Sequence, residues 1–284
     1  MPLAAMNASD RILIAGCGDV GLRAARLLAS QGAQVWGLRR SLPPGPAPLS
    51  WIAADLRQPA TLAALPPGIT HLAYLPTPGE RSPEAYRGVF IDGLRNLMAA
   101  LDPATLRRVV LVSSTAVYGE HEGAWVDELT PAGPLSFNGE ILCEAEAWLA
   151  AQPVSSVSLR LAGLYGPGRL QLVARLREGR ARAPRHPVHW ANRMHVDDAA
   201  GALAHLLNLP DPAPVYLGCD DTPLPLHELY AALAEMAGAP APGEGPAPGA
   251  VGSKRLSNAR LRASGYALRW PDARQGYAAL LKDA

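Results

Sequence analysis

Three glycines, two arginines and a run of hydroxyls are the residues of this chain whose types and spacing could do chemistry. Gly16, Gly18 and Gly21 stand in G-x-G-x-x-G spacing. With no side chains, Gly16 permits a tight turn, Gly18 lets backbone approach a pyrophosphate and Gly21 lets a helix pack close to a strand. An acidic residue that holds a ribose 2′-hydroxyl is expected about 20 residues past such glycines. That place holds Arg39-Arg40. Guanidinium forks suit a 2′-phosphate, so NADP is favoured as cofactor and NAD is the weaker choice. Ser113, Ser114 and Thr115 close an apolar run, where a hydroxyl can donate to an oxygen that gains charge during reaction. Plainer alternatives stay open: a glycine turn that only closes a strand-helix unit, a solvated basic pair, and hydroxyls that bond local backbone.

These residues need elements to position them. Ile12 to Ala15 is an apolar run of the kind a strand buried on both faces shows. Leu22 to Ser30 reads as a helix with Leu22, Ala25 and Leu28 on one face, and Gly32 as its cap. The helix N-terminus offers N–H groups and a positive dipole end to phosphates. Further strands are expected at Gln34–Leu38, Leu49–Ala53, His71–Leu75, Val109–Val112, Val154–Leu161 and Val215–Leu217. Helices are expected at Pro83–Leu101, Phe137–Ala151, Leu170–Arg177, Asp197–Leu207, Leu226–Ala237, Leu256–Ala263 and Arg274–Leu281. Gly238 to Gly252, rich in Pro, Gly and Ala, reads as a mobile surface loop. Strands alternating with helices imply βαβ units and a parallel sheet, an α/β fold.

The chain has 284 residues, 49% of them hydrophobic, and a net charge of +1. That is enough for a sizeable core and gives no electrostatic case for nucleic acid. No apolar run approaches the roughly 20 residues that span a bilayer. Residues 1–10 lack a basic region before an apolar core, so no leader is expected. Cys17, Cys143 and Cys219 lie far apart, which suits a reducing cytoplasm and argues against a zinc site or disulfide framework.

Ser113-Ser114-Thr115-Ala116-Val117-Tyr118-Gly119 resembles the Ser-Ser-x-x-Val-Tyr-Gly stretch of extended short-chain dehydrogenases/reductases, the epimerase/dehydratase branch. Ala54-Asp55-Leu56, Val126-Asp127-Glu128-Leu129-Thr130-Pro131, Leu159 to Gly168 and Asn192 to Ala200 resemble further segments of that family, in its order. The resemblance implies a Rossmann-type doubly wound parallel sheet with a smaller C-terminal substrate region. The expected division is 1–163 for the dinucleotide domain, with 196–217 returning to it, and 164–284 for the substrate region. It implies cofactor contacts at Gly16, Cys17, Gly18, Asp19, Val20, Gly21, Arg39, Arg40, Asp55, Leu56, Leu75 and Ser113. Ser114 takes the place of the hydroxyl that polarises the reacting group. Tyr165, Arg193 and His195 are candidates to face a small-molecule substrate, and Lys254-Arg255 either approaches an anionic one or is solvated. A monomer or homodimer is expected.

One departure alters the chemistry. The family's acid/base pair, Tyr-x-x-x-Lys, falls where this chain has Ser136 and Glu140, or Phe137 and Ile141 with the helix shifted by one. A carboxylate in the lysine's place would raise a tyrosine's pKa, not lower it. Ser136 and Glu140 are expected on one helix face beside the nicotinamide ribose, on a helix started by Pro134. A second departure is the first glycine, which sits at Gly16 where extended members carry it one residue earlier. Both point to the atypical members. The implied function is an NADP-linked oxidoreductase or epimerase/dehydratase-like activity, the alternative a protein that holds NADP(H) without turnover.

Overall fold

A computed structural model of the chain describes residues 9–282 except 48 and 250. The first eight residues, for which no leader is expected, lie outside it. So do Pro48 of the loop before the third strand, position 250 of the Pro/Gly-rich loop, and the last two residues. Seven strands make the main sheet: β1 Arg11–Ala15, β2 Gln34–Arg39, β3 Ser50–Ala53, β4 His71–Tyr74, β5 Arg108–Ser114, β6 Ser155–Leu161 and β7 Val215–Gly218. Their spatial order is β7-β6-β5-β4-β1-β2-β3. β1 pairs in parallel with β2 and β4, β2 with β3, and β4 with β5. Ile12, Leu13, Ile14 and Ala15 are fully buried because β1 is central and covered on both faces. Strand order reverses between β1 and β4, and in open α/β sheets the ligand crevice lies outside the carboxyl ends of the strands at such a point.

The helices are α1 Asp19–Ser30, α2 Pro83–Arg87, α3 Leu94–Ala100, α4 Phe137–Ala150, α5 Gln171–Arg177, α6 Val196–Asn208, α7 Leu226–Met236, α8 Ala259–Ala263 and α9 Ala273–Lys282. α1 ends as the sequence suggests. Gly32 takes φ +97° and donates to the Ala29 carbonyl, which satisfies one of the helix's last acceptors.

Several expectations change. The helix expected over 83–101 is broken by a π-helical turn at Gly88–Gly93. Pro134 does not start α4, which begins at Phe137. The helix expected from Leu256 begins only at Ala259, because Arg255–Leu256 is instead a short strand paired with Trp125–Val126. Gly243–Glu244, in the expected loop, pairs with Arg182–Ala183.

The chain divides into two compact units. One comprises residues up to Ser114 with 137–160 and 200–216; the other comprises 115–136, 161–199 and 217–284. The segment 115–136 thus packs with the second unit, whereas the sequence division puts it in 1–163. The first unit holds nearly all of the main sheet. The second has its own core, with Tyr165, Val173, Leu176, Leu229, Leu233 and Tyr277 among its members.

Candidate functional site

In the first unit the loop after β1 is held in three ways. The N–H groups of Gly16 and Cys17 both donate to the Leu38 carbonyl, at 2.9 and 3.1 Å, and Gly18 N–H donates to the Gly16 carbonyl at 2.7 Å. Gly16 has φ +78°, and a β carbon there would lie 2.3 Å from Pro76 Cα in the loop after β4. Only glycine satisfies both the turn and the approach. A β carbon on Gly18 would meet nothing nearer than the Gly16 carbonyl oxygen at 3.9 Å. Its absence therefore leaves backbone open to a ligand. A β carbon on Gly21 would stand 3.0 Å from an Ile14 methyl, so this glycine serves the packing of α1 on β1. No side chain caps the start of α1, and its first N–H groups remain available to an anion.

This loop forms one end of a cavity of about 470 Å³. Gly16, Cys17 and Gly18 line it with Arg39 at the end of β2, Arg40 and Ser41 after it, Asp55, Leu56 and Arg57 after β3, Pro76, Thr77 and Glu80 after β4, and Ala85 and Val89. Arg57 donates to both carboxylate oxygens of Asp55, at 3.3 and 3.0 Å. Those bonds hold the Asp55 carboxyl below its ordinary range. The Cys17 thiol is buried, and burial pushes it up to about 11. It is a packing group at neutral pH, not a nucleophile. Cradle, basic residues and open helix end fit a dinucleotide with its pyrophosphate at the glycines.

Other expected contacts do not line the cavity. Asp19 is exposed and pairs with Arg23 at 2.8 Å. Val20 is buried in the core. Leu75 hands over to its neighbours Pro76 and Thr77. Ser113 is buried and its hydroxyl lacks a hydrogen-bond partner. Ser114 closes β5. Ser136 immediately precedes α4, and Glu140, on its first turn, is exposed. Ile141, the alternative in the lysine's place, is 4% exposed and belongs to the core.

In the second unit the strand pairing of Gly163–Tyr165 with Arg193–His195 brings the three substrate candidates together. Tyr165 has no exposed surface, stacks on Tyr277 with ring centroids 4.4 Å apart and meets the His195 ring edge-on at 5.1 Å. Its hydroxyl has no partner, nor has Arg193 Nε. His195 is buried, and its Nδ1 accepts from the Asp197 N–H at 3.1 Å. Tyr165 and His195 are thus interior positions, and Arg193 is half-buried.

Of the basic pair, Lys254 is buried and Arg255 is half-buried. Lys254 is 2% exposed, and burial lowers its pKa to about 8. Its Nζ donates to the carbonyls of Tyr118 and Gly119, each at 3.3 Å, and to that of Val251. The Arg255 guanidinium stands over two indoles, 4.8 Å from the Trp190 ring and 5.1 Å from the Trp125 ring. Asp220, which the sequence did not single out, is 2% exposed, accepts the Thr222 and Ala273 N–H groups, and has a pKa raised to about 8 by burial.

Among the described residues no group of three His, Cys, Asp or Glu is placed to hold a metal ion, and no helix is long and apolar enough to cross a membrane.

Known proteins share this architecture. A structure of a presumed NAD-dependent epimerase/dehydratase from Methylobacillus flagellatus is 42% identical and superposes with a TM-score of 0.82 over 96% of this chain and 98% of its own. A functionally unknown conserved protein of Silicibacter pomeroyi is 32% identical, with a TM-score of 0.74 over 97% and 99%. Human epimerase family protein SDR39U1, solved with NADPH, shares the fold at 21% identity, with a TM-score of 0.79 over 96% and 100%. Protein YeeZ of Escherichia coli (strain K12) is 34% identical over 150 residues, 52% of this chain and 53% of that protein. The chain thus matches about half the length of that curated relative. Residues 12–216 match the family profile, and the chain belongs to the NAD dependent epimerase/dehydratase family.

Proposed function

We propose that this protein binds NADP(H) in the cavity of its first unit and uses it on a small hydroxyl- or carbonyl-bearing substrate, as an atypical extended oxidoreductase or epimerase/dehydratase-like enzyme. One observation carries the reading: Arg39, Arg40 and Arg57 line the same cavity as the bare glycine backbone, and Arg57 offsets the Asp55 carboxylate. The glycines and the start of α1 take the pyrophosphate, and Arg39 and Arg40 take the 2′-phosphate. When bound, the nicotinamide supplies or accepts a hydride. Ser114 donates to the substrate oxygen, and the C-terminal region 164–284 recognises the rest of the substrate. A nucleotide sugar is one substrate class of suitable size. A cytoplasmic monomer or homodimer suits three cysteines without a disulfide framework.

Calorimetric titration tests the cofactor. NADP should bind at least several-fold tighter than NAD, and replacing Arg39 and Arg40 with alanine should erase the difference. Equal affinities in the unaltered protein overturn the preference.

A second reading, a sensor or regulatory module that holds NADP(H) without turnover, is favoured by Glu140. This carboxylate is exposed and stands where the resemblance places a lysine. Screening nucleotide sugars, aldehydes and ketones for change in NADPH absorbance separates the two. If turnover is slow, the pair Ser136→Tyr with Glu140→Lys should raise it. If turnover is already fast and Glu140→Gln abolishes it, the sensor reading fails and Glu140 is the base.

A further inference from the structure

The helical run from Pro83 to Ala100 changes pitch in its middle, where Gly88–Gly93 winds as a π turn between α2 and α3. Such a turn has poorer hydrogen-bond geometry than an α turn and needs a local cause. The cause sits on β4. Tyr74 is fully buried, and its hydroxyl donates to the Val89 carbonyl at 2.6 Å. Gly93 makes room for it: a β carbon there would lie 3.0 Å from the Tyr74 hydroxyl oxygen and 3.0 Å from Leu56 Cβ. A β carbon on Gly88 would lie 3.3 Å from Arg57 Cδ. The two glycines are five residues apart, the hydrogen-bond step of a π turn, and both face the Leu56-Arg57 strip. Asn96 adds a tie from α3, its Nδ2 donating to the Leu56 carbonyl at 3.0 Å. On either side of this contact are cavity residues: Ala85 and Val89 from the helical run, Leu56 and Arg57 from the facing wall.

We propose that Tyr74 is a positioning residue for the adenosine half of the dinucleotide, acting through Val89. The proposal rests on the reading that this cavity takes NADP(H). The π turn amounts to one residue more than an α turn. Removing it would rotate α2 relative to α3 by about 100° and carry Ala85 and Val89 off the wall. The Tyr74 hydroxyl holds the Val89 carbonyl in the wider turn, so the wall's place depends on a side chain that does not itself line the cavity.

Tyr74→Phe keeps the buried ring and removes the bond. In the full chain, calorimetric titration with NADP and with adenosine 2′,5′-bisphosphate should show both weakened about tenfold, the loss of one buried hydrogen bond. Urea unfolding, measured in parallel, gives the folded fraction for which affinities are corrected. Unchanged affinities on the folded protein, with or without a lower unfolding midpoint, overturn the proposal, because a merely structural role moves the midpoint alone. If Tyr74→Phe is insoluble, Gly93→Ala, which takes away the space for the hydroxyl, is read by the same outcomes. Failure of the unaltered protein to bind either nucleotide would sink the NADP reading itself, a result distinct from equal binding by both proteins.

Discussion

Tyr165 shows how far residue type alone leads. A tyrosine beside a family glycine reads as a substrate contact, yet the structure buries it with its hydroxyl unpartnered. A buried hydroxyl without a partner has lost its water and gained nothing. Tyr165→Phe should therefore leave the protein as stable or stabilise it by about 1 kcal/mol; a clear fall in the urea midpoint would show that the hydroxyl has a partner. Asp220 carries a second residue-scale prediction. Burial, with the Asp272 charge nearby, raises its pKa to about 8, against about 3.9 in an unfolded chain. The folded state thus holds the proton more tightly, and this contribution to stability is complete below about pH 4 and lost as pH rises through about 8. Asp220→Asn removes the titration. The stability of the unaltered protein relative to this variant should fall between pH 4 and 8, and parallel curves would refute it. Lys254 and Asp220 are both charged types that sequence patterns place in water. Nothing local announces the carbonyls or N–H groups that receive them, so their burial is legible only in the fold.

At the scale of elements, continuous apolar runs make good strand signals, and the expected ends of β2, β4 and β6 lie within a residue of the observed ones. Two-residue strands such as Arg255–Leu256 have no period to read. The π turn escaped for a different reason: apolar residues at 89, 94, 97 and 101 fit one amphipathic helix. The signal that could have found it is the five-residue spacing of Gly88 and Gly93, costly in a helix interior and so in need of a purpose. The same logic applies to Gly276 inside α9. A β carbon there would lie 2.1 Å from the Tyr165 hydroxyl oxygen and 2.7 Å from its ring. Alanine normally gains up to about 1 kcal/mol over glycine in a helix. Here Gly276→Ala should instead cost about 1–3 kcal/mol from overpacking. Combining it with Tyr165→Phe should recover part of that cost. Additive effects across the double-mutant cycle would mean that α9 shifts away from the ring, contrary to this account.

For the whole molecule, the glycine-lined cavity belongs to one unit and the buried Tyr165–Tyr277 core to the other. A ligand that binds only the folded state stabilises it by mass action, whatever chemistry follows. NADPH at 100 times its dissociation constant should add about 2.7 kcal/mol, a rise of about 5–10 °C in melting temperature for a chain of this size. At equal concentration NADH should give the smaller rise, and the Arg39→Ala/Arg40→Ala pair should bring the two together. Amide exchange should slow at Gly16–Gly18, Arg39–Ser41 and Asp55–Arg57, the backbone that lines the cavity. This measurement needs no substrate, so it separates binding from turnover. A melting temperature unmoved by either nucleotide, at concentrations where a screened small molecule does move it, would mean that the glycine cradle has been turned to another ligand.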